Sequence, residues 1–174
     1  MSTLENKTIA ILSTNNFEDS ELTSPRDAVH EAGAATVVVS TESGSIEGKN
    51  GTEVSVDLTT SEANAADYDA LLLPGGTSNA DQIRTDEAAV KLVREFTQAG
   101  KPVGVICHGG WILTDAEAVS GVRMTSYPYL KTDLSNAGAT WVDEEVVVDK
   151  RIVSSRTPDD LPAFNKAIIE EFAK

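Results

Sequence analysis

The chain contains a single cysteine, and the residues around it favour a reactive thiol. Cys107 follows the apolar run Val103–Ile106 and precedes His108, Gly109 and Gly110. A strand that turns sharply into a helix presents the residue at the turn above the sheet, as in a nucleophile elbow. The dipole of the following helix is expected to lower the thiol pKa. The pattern therefore favours a nucleophile over the inert core cysteine that a lone cysteine in a strand usually is.

Ionisable side chains that could assist the thiol occur beside it and near the N-terminus. His108 is adjacent in the chain, and only a sharp turn would bring its ring to the thiol, so a catalytic base and a packing histidine both stay open. The segment Phe17–Glu21 is rich in acids. These acids either complement the dipole of the next helix or place a carboxyl beside the thiol. In the second case the pair would share one proton, which the acid could pass to a reacting substrate.

Glycines and aromatic residues complete the candidate site. The segment Pro74–Gly76 is either a simple turn or a source of free backbone N–H groups. With the N–H of His108, the N–H groups of Gly75 and Gly76 could form an oxyanion hole. Tyr127 either donates a hydrogen bond or packs, and Trp111 is more typical of a core position.

The elements that must position these residues alternate between short apolar runs and segments of helical periodicity. Strands are predicted over Thr8–Leu12, Thr36–Val39, Tyr68–Leu73, Val103–Ile106, Trp141–Val148 and Ile152–Ser155. The glycine-rich segment 44–56 predicts a small antiparallel hairpin. Helices are predicted from Thr23–Pro25 to Gly33, over Asp86–Ala99, and over a closing segment with Leu161, Phe164, Ile168 and Phe172.

This alternation predicts one α/β domain over residues 1–174, a doubly wound, mostly parallel sheet flanked by helices, of the flavodoxin-like type. Ligands bind such sheets at the carboxyl ends of the strands. Three polar or glycine-rich segments fall there, Asn15–Glu21, Pro74–Asn79 and Cys107–Trp111. The fold would therefore gather the thiol, the acids and the glycines at one edge of the sheet.

The composition excludes several classes of function. The 174 residues include 28 acidic and 14 basic side chains, a formal net charge of −14. Such a surface repels phosphate backbones and anionic lipids, so we expect neither nucleic-acid nor membrane partners. One cysteine excludes an intrachain disulfide and suits a reducing cytoplasm, and Met1–Lys7 shows no signal-peptide pattern. One cysteine and two histidines cannot form a standard zinc site, and no phosphate-binding loop is present, so no metal or cofactor is expected.

Taken together, these motifs resemble the ThiJ/PfpI superfamily, the Parkinsonism-associated deglycase group within the class I glutamine amidotransferase-like fold. The matching segments are F-E-D-S-E-L-T-S-P at 17–25, L-L-L-P-G-G at 71–76, I-C-H-G at 106–109, T-S-Y-P at 125–128, N-A-G-A at 136–139, W-V-D-E-E-V-V-V-D at 141–149 and S-S-R-T-P-D-D-L-P-A-F at 154–164. They span nearly the whole chain in family order. Within the superfamily the sequence is most similar to the short bacterial and archaeal stress-protein branch.

The resemblance implies roles for the candidate residues. Cys107 would be the nucleophile, Glu21 the protonated carboxyl that touches it, and His108 the neighbouring base. The amides of Gly75, Gly76 and His108 would form the oxyanion hole. Tyr127 would line the pocket, with Glu18 close to Glu21. The predicted pocket also includes Glu18 and Trp111.

The resemblance also implies an assembly and a range of activities. Members form dimers that can build hexamers. The activities attributed to the family are cofactor-free glyoxalase or deglycase chemistry on methylglyoxal and its adducts, peptidase action and redox sensing.

Two positions depart from the family pattern. The family often has proline where this chain has Gly110, so a looser first turn after the cysteine is expected. Peptidase-type members take an acidic residue from a neighbouring subunit soon after the Gly-Gly pair. In the segment Thr77–Asp81 only Asp81 is acidic, and it is displaced by one residue. This departure argues against a peptidase triad with His108 as its base.

The leading hypothesis is a cytoplasmic stress-response enzyme that acts on small reactive carbonyls through Cys107. The first alternative is an intracellular cysteine peptidase. The second is a non-enzymatic redox sensor or chaperone in which Cys107 oxidises to a sulfinic acid held by Glu21.

Overall fold

The structure is a computed structural model that describes residues 3–174, so Met1 and Ser2 of the predicted domain lie outside the described residues. The strands are β1 Thr8–Leu12, β2 Ala35–Ser40, β3 Gly44–Glu47, β4 Glu53–Val56, β5 Leu58–Thr59, β6 Ala70–Leu73, β7 Val103–Ile106, β8 Arg123–Met124, β9 Thr140–Trp141, β10 Val147–Asp149 and β11 Ile152–Ser155. The α-helices are α1 Asp19–Glu31, α2 Thr77–Ile83, α3 Glu87–Gln98, α4 Trp111–Asp115, α5 Lys131–Asn136 and α6 Leu161–Phe172.

Seven strands form the central sheet in the order β10-β11-β7-β6-β1-β2-β5. All neighbours in it are parallel except β10 and β11, which form an antiparallel hairpin. From β1 the chain first runs outward to β2 and β5 and then returns to β6 on the other side of β1. This reversal opens a crevice at the carboxyl ends of β1 and β6, where doubly wound sheets bind ligands. The predicted fold class is confirmed.

Both faces of the sheet are buried, which explains the uninterrupted apolar strands. In β1, Ala10 and Leu12 face the layer that includes α3, whereas Ile9 and Ile11 face the layer that includes α6. A strand covered on both sides must be apolar at every position, not only at alternate ones. Among the described residues no helix is both long and apolar enough to cross a membrane.

The first helix differs from the prediction, because it begins at Asp19 and contains Pro25 in its interior. Proline has no N–H to bond the carbonyl of Glu21, and its ring crowds that carbonyl, so the helix loses one hydrogen bond there; Pro25 itself is buried. The carboxylate of Asp19 in the first turn complements the helix dipole, and Glu21 lies in the same turn. Glu21 therefore lies on a helix and not in a loop.

The predicted strand Trp141–Val148 is wrong as a single element. Its ends belong to different sheets, since β9 pairs with β8 and β10 pairs with β11. The acidic residues Asp143, Glu144 and Glu145 lie between them, where a continuous strand would have to accommodate three successive charges. The predicted hairpin over 44–56 is confirmed as β3 and β4, which pair antiparallel.

Candidate active site

Cys107 lies at the sharp turn between β7 and a short 3₁₀ turn that leads into α4. Its φ is +61°, a left-handed conformation that costs energy for any residue with a Cβ. The turn also needs Gly109, because a Cβ there would lie 2.6 Å from the carbonyl oxygen of Leu73. The backbone is thus held in the strained elbow that the sequence predicts.

The looser turn expected at Gly110 is not observed. Gly110 has a φ of −71°, an ordinary helical value. A Cβ there would meet Leu134, Met124 and Leu130 at ordinary contact distances of 3.9–4.0 Å. The residue is therefore already surrounded by packed side chains.

Glu21 lies in the first turn of α1 and is only 1% exposed. Its Oε1 accepts a hydrogen bond of 3.0 Å from the N–H of Gly75, and its Oε2 has no such partner among the described residues. A Cβ on Gly75 would lie 2.2 Å from Glu21 Oε1 and 2.7 Å from Cys107 Cβ. The absence of a side chain at Gly75 therefore lets the acid and the cysteine approach each other.

The two groups form a coupled acid pair. Burial, together with the nearby Glu18 carboxylate, raises the pKa of Glu21 to about 8. Burial and the Glu21 carboxyl raise the pKa of Cys107 to about 12, although the N–H groups of His108 and Gly76 act to lower it. Because each charge opposes the other, the pair loses its first proton near pH 8 and resists loss of the second.

The thiol pKa expected from the sequence is therefore wrong in direction. A helix dipole lowers a thiol pKa by favouring the thiolate, but α4 has only five residues. Cys107 is 8% exposed, so removal from water outweighs that small dipole.

The predicted oxyanion hole loses one of its three donors. The N–H of Gly75 already donates to Glu21, so it cannot also bind a substrate oxygen. The N–H groups of Gly76 and His108 remain, and both act on the Cys107 sulfur to lower its pKa. Gly76 has a φ of +93°, and a Cβ there would lie 2.6 Å from the carbonyl oxygen of Asn16. Glycine is thus required for the turn that aims this donor.

His108 is buried, and its ring reaches the thiol. Its Nδ1 lies 3.3 Å from Cys107 Sγ, and its Nε2 lies 3.5 Å from the hydroxyl oxygen of Thr77. Burial lowers the pKa of the imidazole, which favours its neutral form. Within residues 3–174 no carboxylate is hydrogen-bonded to His108, and Asp81 lies exposed on α2.

The two aromatic residues of the predicted pocket occupy different places. Tyr127 stacks on the His108 ring with 4.5 Å between centroids, and its N–H donates to the carbonyl of Cys107. Trp111 meets the same ring edge-on at 5.3 Å and donates its indole N–H to Asp133. Tyr127 lines the cleft, whereas Trp111 supports His108 from outside it. Trp111 therefore reaches the cleft only through its contact with His108.

A cleft of about 360 Å³ opens above the sulfur. It is lined by Glu18, Glu21, Lys49, Gly76, Thr77, Cys107, His108, Tyr127, Thr157 and Pro158. Sequence reasoning did not assign Lys49, Thr77, Thr157 or Pro158. Lys49 comes from the β3–β4 hairpin, and no local motif identifies it. Thr157 and Pro158 lie inside the segment 154–164 that resembles the family. That resemblance is the only sequence feature that could have assigned them to the site.

A buried asparagine holds the loops of the site together. Asn79 donates to the carbonyls of Pro74 and Gly75 at 3.2 and 3.0 Å and accepts from the N–H of Thr14 at 2.7 Å. It thereby ties the loop after β6 to the end of β1. In the part of the chain that the structure describes, no group of three or more potential metal ligands occurs.

The fold and the site together define a class of protein: a doubly wound α/β domain with a cysteine elbow and a buried carboxyl at its topological switch point. More specifically, the chain belongs to the DJ-1/PfpI family, whose model matches residues 7–171.

Relatives with assigned names support this membership. General stress protein 18 of Bacillus subtilis is 47% identical over 163 residues, which cover 92% of this chain and 94% of the relative. Protein/nucleic acid deglycase 2 of Escherichia coli is 46% identical with the same coverage of both chains. A crystal structure from Anabaena variabilis contains DJ-1/ThiJ/PfpI-like and ferritin-like domains. It matches with a TM-score of 0.92 and 35% identity over 95% of this chain and 48% of that one.

Proposed function

We propose that this protein is a cofactor-independent stress-response enzyme that uses Cys107 to convert reactive carbonyls or their adducts, in the manner of a glyoxalase or deglycase. The observation that carries the proposal is the pairing of a buried thiol with a buried acid whose pKa is about 8. The name of the Escherichia coli relative supports the same chemistry.

In the first step the Cys107 sulfur attacks the aldehyde carbon of methylglyoxal. The C=O bond becomes a C–O bond, and the developing oxyanion lies within reach of the Gly76 and His108 N–H groups. Ionised Glu21 takes the thiol proton as the C–S bond forms and passes it to that oxygen, which leaves a hemithioacetal and restores the Glu21 carboxylate.

The second stage moves hydrogen within the substrate. The proton on the former aldehyde carbon is removed and delivered to the neighbouring ketone carbon. The hydroxyl proton of the hemithioacetal moves to the ketone oxygen, so the ketone becomes the carbinol. The first carbon is thereby oxidised to a thioester while the second is reduced, so no external oxidant is needed. Neutral His108 and ionised Glu21 are the two bases in the cleft. Water then breaks the C–S bond and releases a hydroxy acid and the free thiol.

The test is lactate formation from methylglyoxal by purified wild type and Cys107→Ser. We expect the variant to produce no lactate above the uncatalysed rate, because serine is far less nucleophilic than a thiolate. Lys166→Gln, an exposed change on α6, serves as the control and should match wild type. Equal turnover by wild type and Cys107→Ser would refute the proposal.

The peptidase alternative gains no support from the site. A cysteine peptidase uses a histidine oriented by a third group, and the only polar contact of His108 Nε2 among the described residues is the hydroxyl of Thr77. Casein hydrolysis by wild type that is lost in Cys107→Ser would support the peptidase function.

Location and assembly belong to the same proposal. We infer a cytoplasmic protein that forms a homodimer and, at higher order, a hexamer. Sedimentation velocity would measure the assembly directly, and a monomer at micromolar concentration would contradict it.

A further inference from the structure

An ion pair lies at the mouth of the cleft, between Glu18 and Lys49. Glu18 precedes the first residue of α1, and its N–H donates to the carbonyl of Gly75. Lys49 is the one cationic side chain among the residues that line the cleft, where Glu18, Glu21 and Cys107 are the groups that can carry negative charge. The mechanism above uses neither member of the ion pair.

The backbone that carries Lys49 is firmly docked on the start of α1. Asp19 accepts hydrogen bonds of 3.0 Å from the N–H groups of both Asn50 and Thr52. The N–H of Lys49 donates to the carbonyl of Phe17 at 3.0 Å. Only the lysine side chain is therefore free to move, and it is 53% exposed, whereas that of Glu18 is 20% exposed. Glu18 is the fixed member of the pair and Lys49 the displaceable one.

We propose that Glu18 is a specificity residue that binds a cationic group of the incoming reactant after displacing Lys49, so that the cleft selects cationic over anionic reactants. The substrate class rests on the proposed function. That class is carbonyl adducts that carry an ammonium or guanidinium group.

Charge balance within the cleft supports this direction. A cationic reactant that replaces Lys49 leaves the Glu18 carboxylate paired and releases the lysine to water. An anionic reactant adds a negative charge next to Glu18 and the singly ionised pair of Glu21 and Cys107, and like charges at such distances repel. Charge-assisted hydrogen bonds to a partly buried carboxylate are strong enough to change a rate by about tenfold.

The single cysteine allows a test that does not depend on turnover. Two methanethiosulfonate reagents of similar size, one with a 2-aminoethyl group and one with a 2-sulfonatoethyl group, label Cys107 at measurable rates. The Cys107 thiolate attacks the sulfenyl sulfur, an S–S bond forms, and methanesulfinate leaves with the electron pair. The measured quantity is the ratio of the cationic to the anionic rate constant. Changes in the intrinsic reactivity of the thiol cancel in this ratio.

We expect Glu18→Gln to lower the ratio about tenfold and Lys49→Gln to raise it. Glu18→Asp keeps the charge but shortens the side chain, so it should lower the ratio several-fold if direct contact matters. The exposed changes Glu170→Gln and Lys166→Gln on α6 are matched controls and should leave the ratio within twofold.

Three results would overturn the proposal. They are an unchanged ratio in Glu18→Gln, a lower ratio in Lys49→Gln, and a wild-type ratio in Glu18→Asp. The last result would mean that the charge of residue 18 acts at long range and that the residue does not contact the reactant. A protein that makes no lactate but shows these ratios would contradict the proposed function alone. Lactate formation with unchanged ratios would contradict only the role of Glu18.

Discussion

Replacing Glu21 with glutamine should make the protein more stable, although it removes a residue of the site. The pKa of this carboxyl rises from its ordinary value of 4.5 to about 8 because burial penalises its charge. Glutamine cannot ionise, yet its side-chain oxygen can still accept the hydrogen bond from the N–H of Gly75. The substitution therefore removes the cost of keeping an acid protonated and preserves the contact.

The sign follows from the raised pKa. Below pH 4.5 the carboxyl is protonated in both the folded and the unfolded chain, and its contribution to stability is fully present. As the pH rises towards 8, the unfolded chain gains by ionising while the folded chain does not, so stability is lost. At about 1.4 kcal/mol per pH unit, wild type loses roughly 3 kcal/mol by pH 7. Glu21→Gln loses none of this.

The assay is urea unfolding followed by tryptophan fluorescence at pH 5, 6, 7 and 8, at one protein concentration because association also stabilises. The free energy of unfolding of Glu21→Gln should exceed that of wild type by about 3 kcal/mol at pH 7 and by less than 1 kcal/mol at pH 5. Glu170→Gln, which removes an exposed acid, should show no such trend. A difference that is independent of pH, or that favours wild type at pH 8, would refute the reasoning.

Three further substitutions test the architecture of the site, each by urea unfolding. Gly110→Ala should raise the free energy of unfolding by about 0.4–1 kcal/mol, because its φ suits alanine and its neighbours lie at contact distance; destabilisation would contradict this. Gly109→Ala should lower it by about 1–3 kcal/mol, because the new Cβ would lie 2.6 Å from a carbonyl oxygen; wild-type stability would show that the elbow can relax. Asn79→Ala should lower the free energy of unfolding by about 1–3 kcal/mol, because it leaves buried groups unpaired, and it should also slow lactate formation. An unaffected rate would mean that the loops keep their positions without the Asn79 hydrogen bonds.

Local patterns predicted the elbow and the sheet well. A strand followed by Cys107 and Gly109 specifies its own turn, and the apolar runs report burial on both faces. The outer limits of the hairpin and of the closing helix can also be predicted from local sequence, because periodicity and glycine placement are properties of neighbouring residues.

Interactions between distant residues could not be predicted in this way. The bond that occupies the Gly75 N–H joins residues 54 positions apart, and nothing near Gly75 indicates it. Lys49 reaches the cleft only because Asp19 docks its hairpin. The direction of the Cys107 pKa depended on how deeply the thiol is buried, which motif spacing does not report.

The central claim is that Cys107 and Glu21 work as one acid pair, and the pH dependence of kcat/KM for lactate formation tests it most directly. The active form has lost one proton from the pair, so kcat/KM of wild type should rise with pH to a midpoint near 8. Glu21→Gln should lack that midpoint and show a much lower kcat/KM throughout. A wild-type profile that is flat between pH 6 and 9, or the same midpoint in Glu21→Gln, would contradict the account.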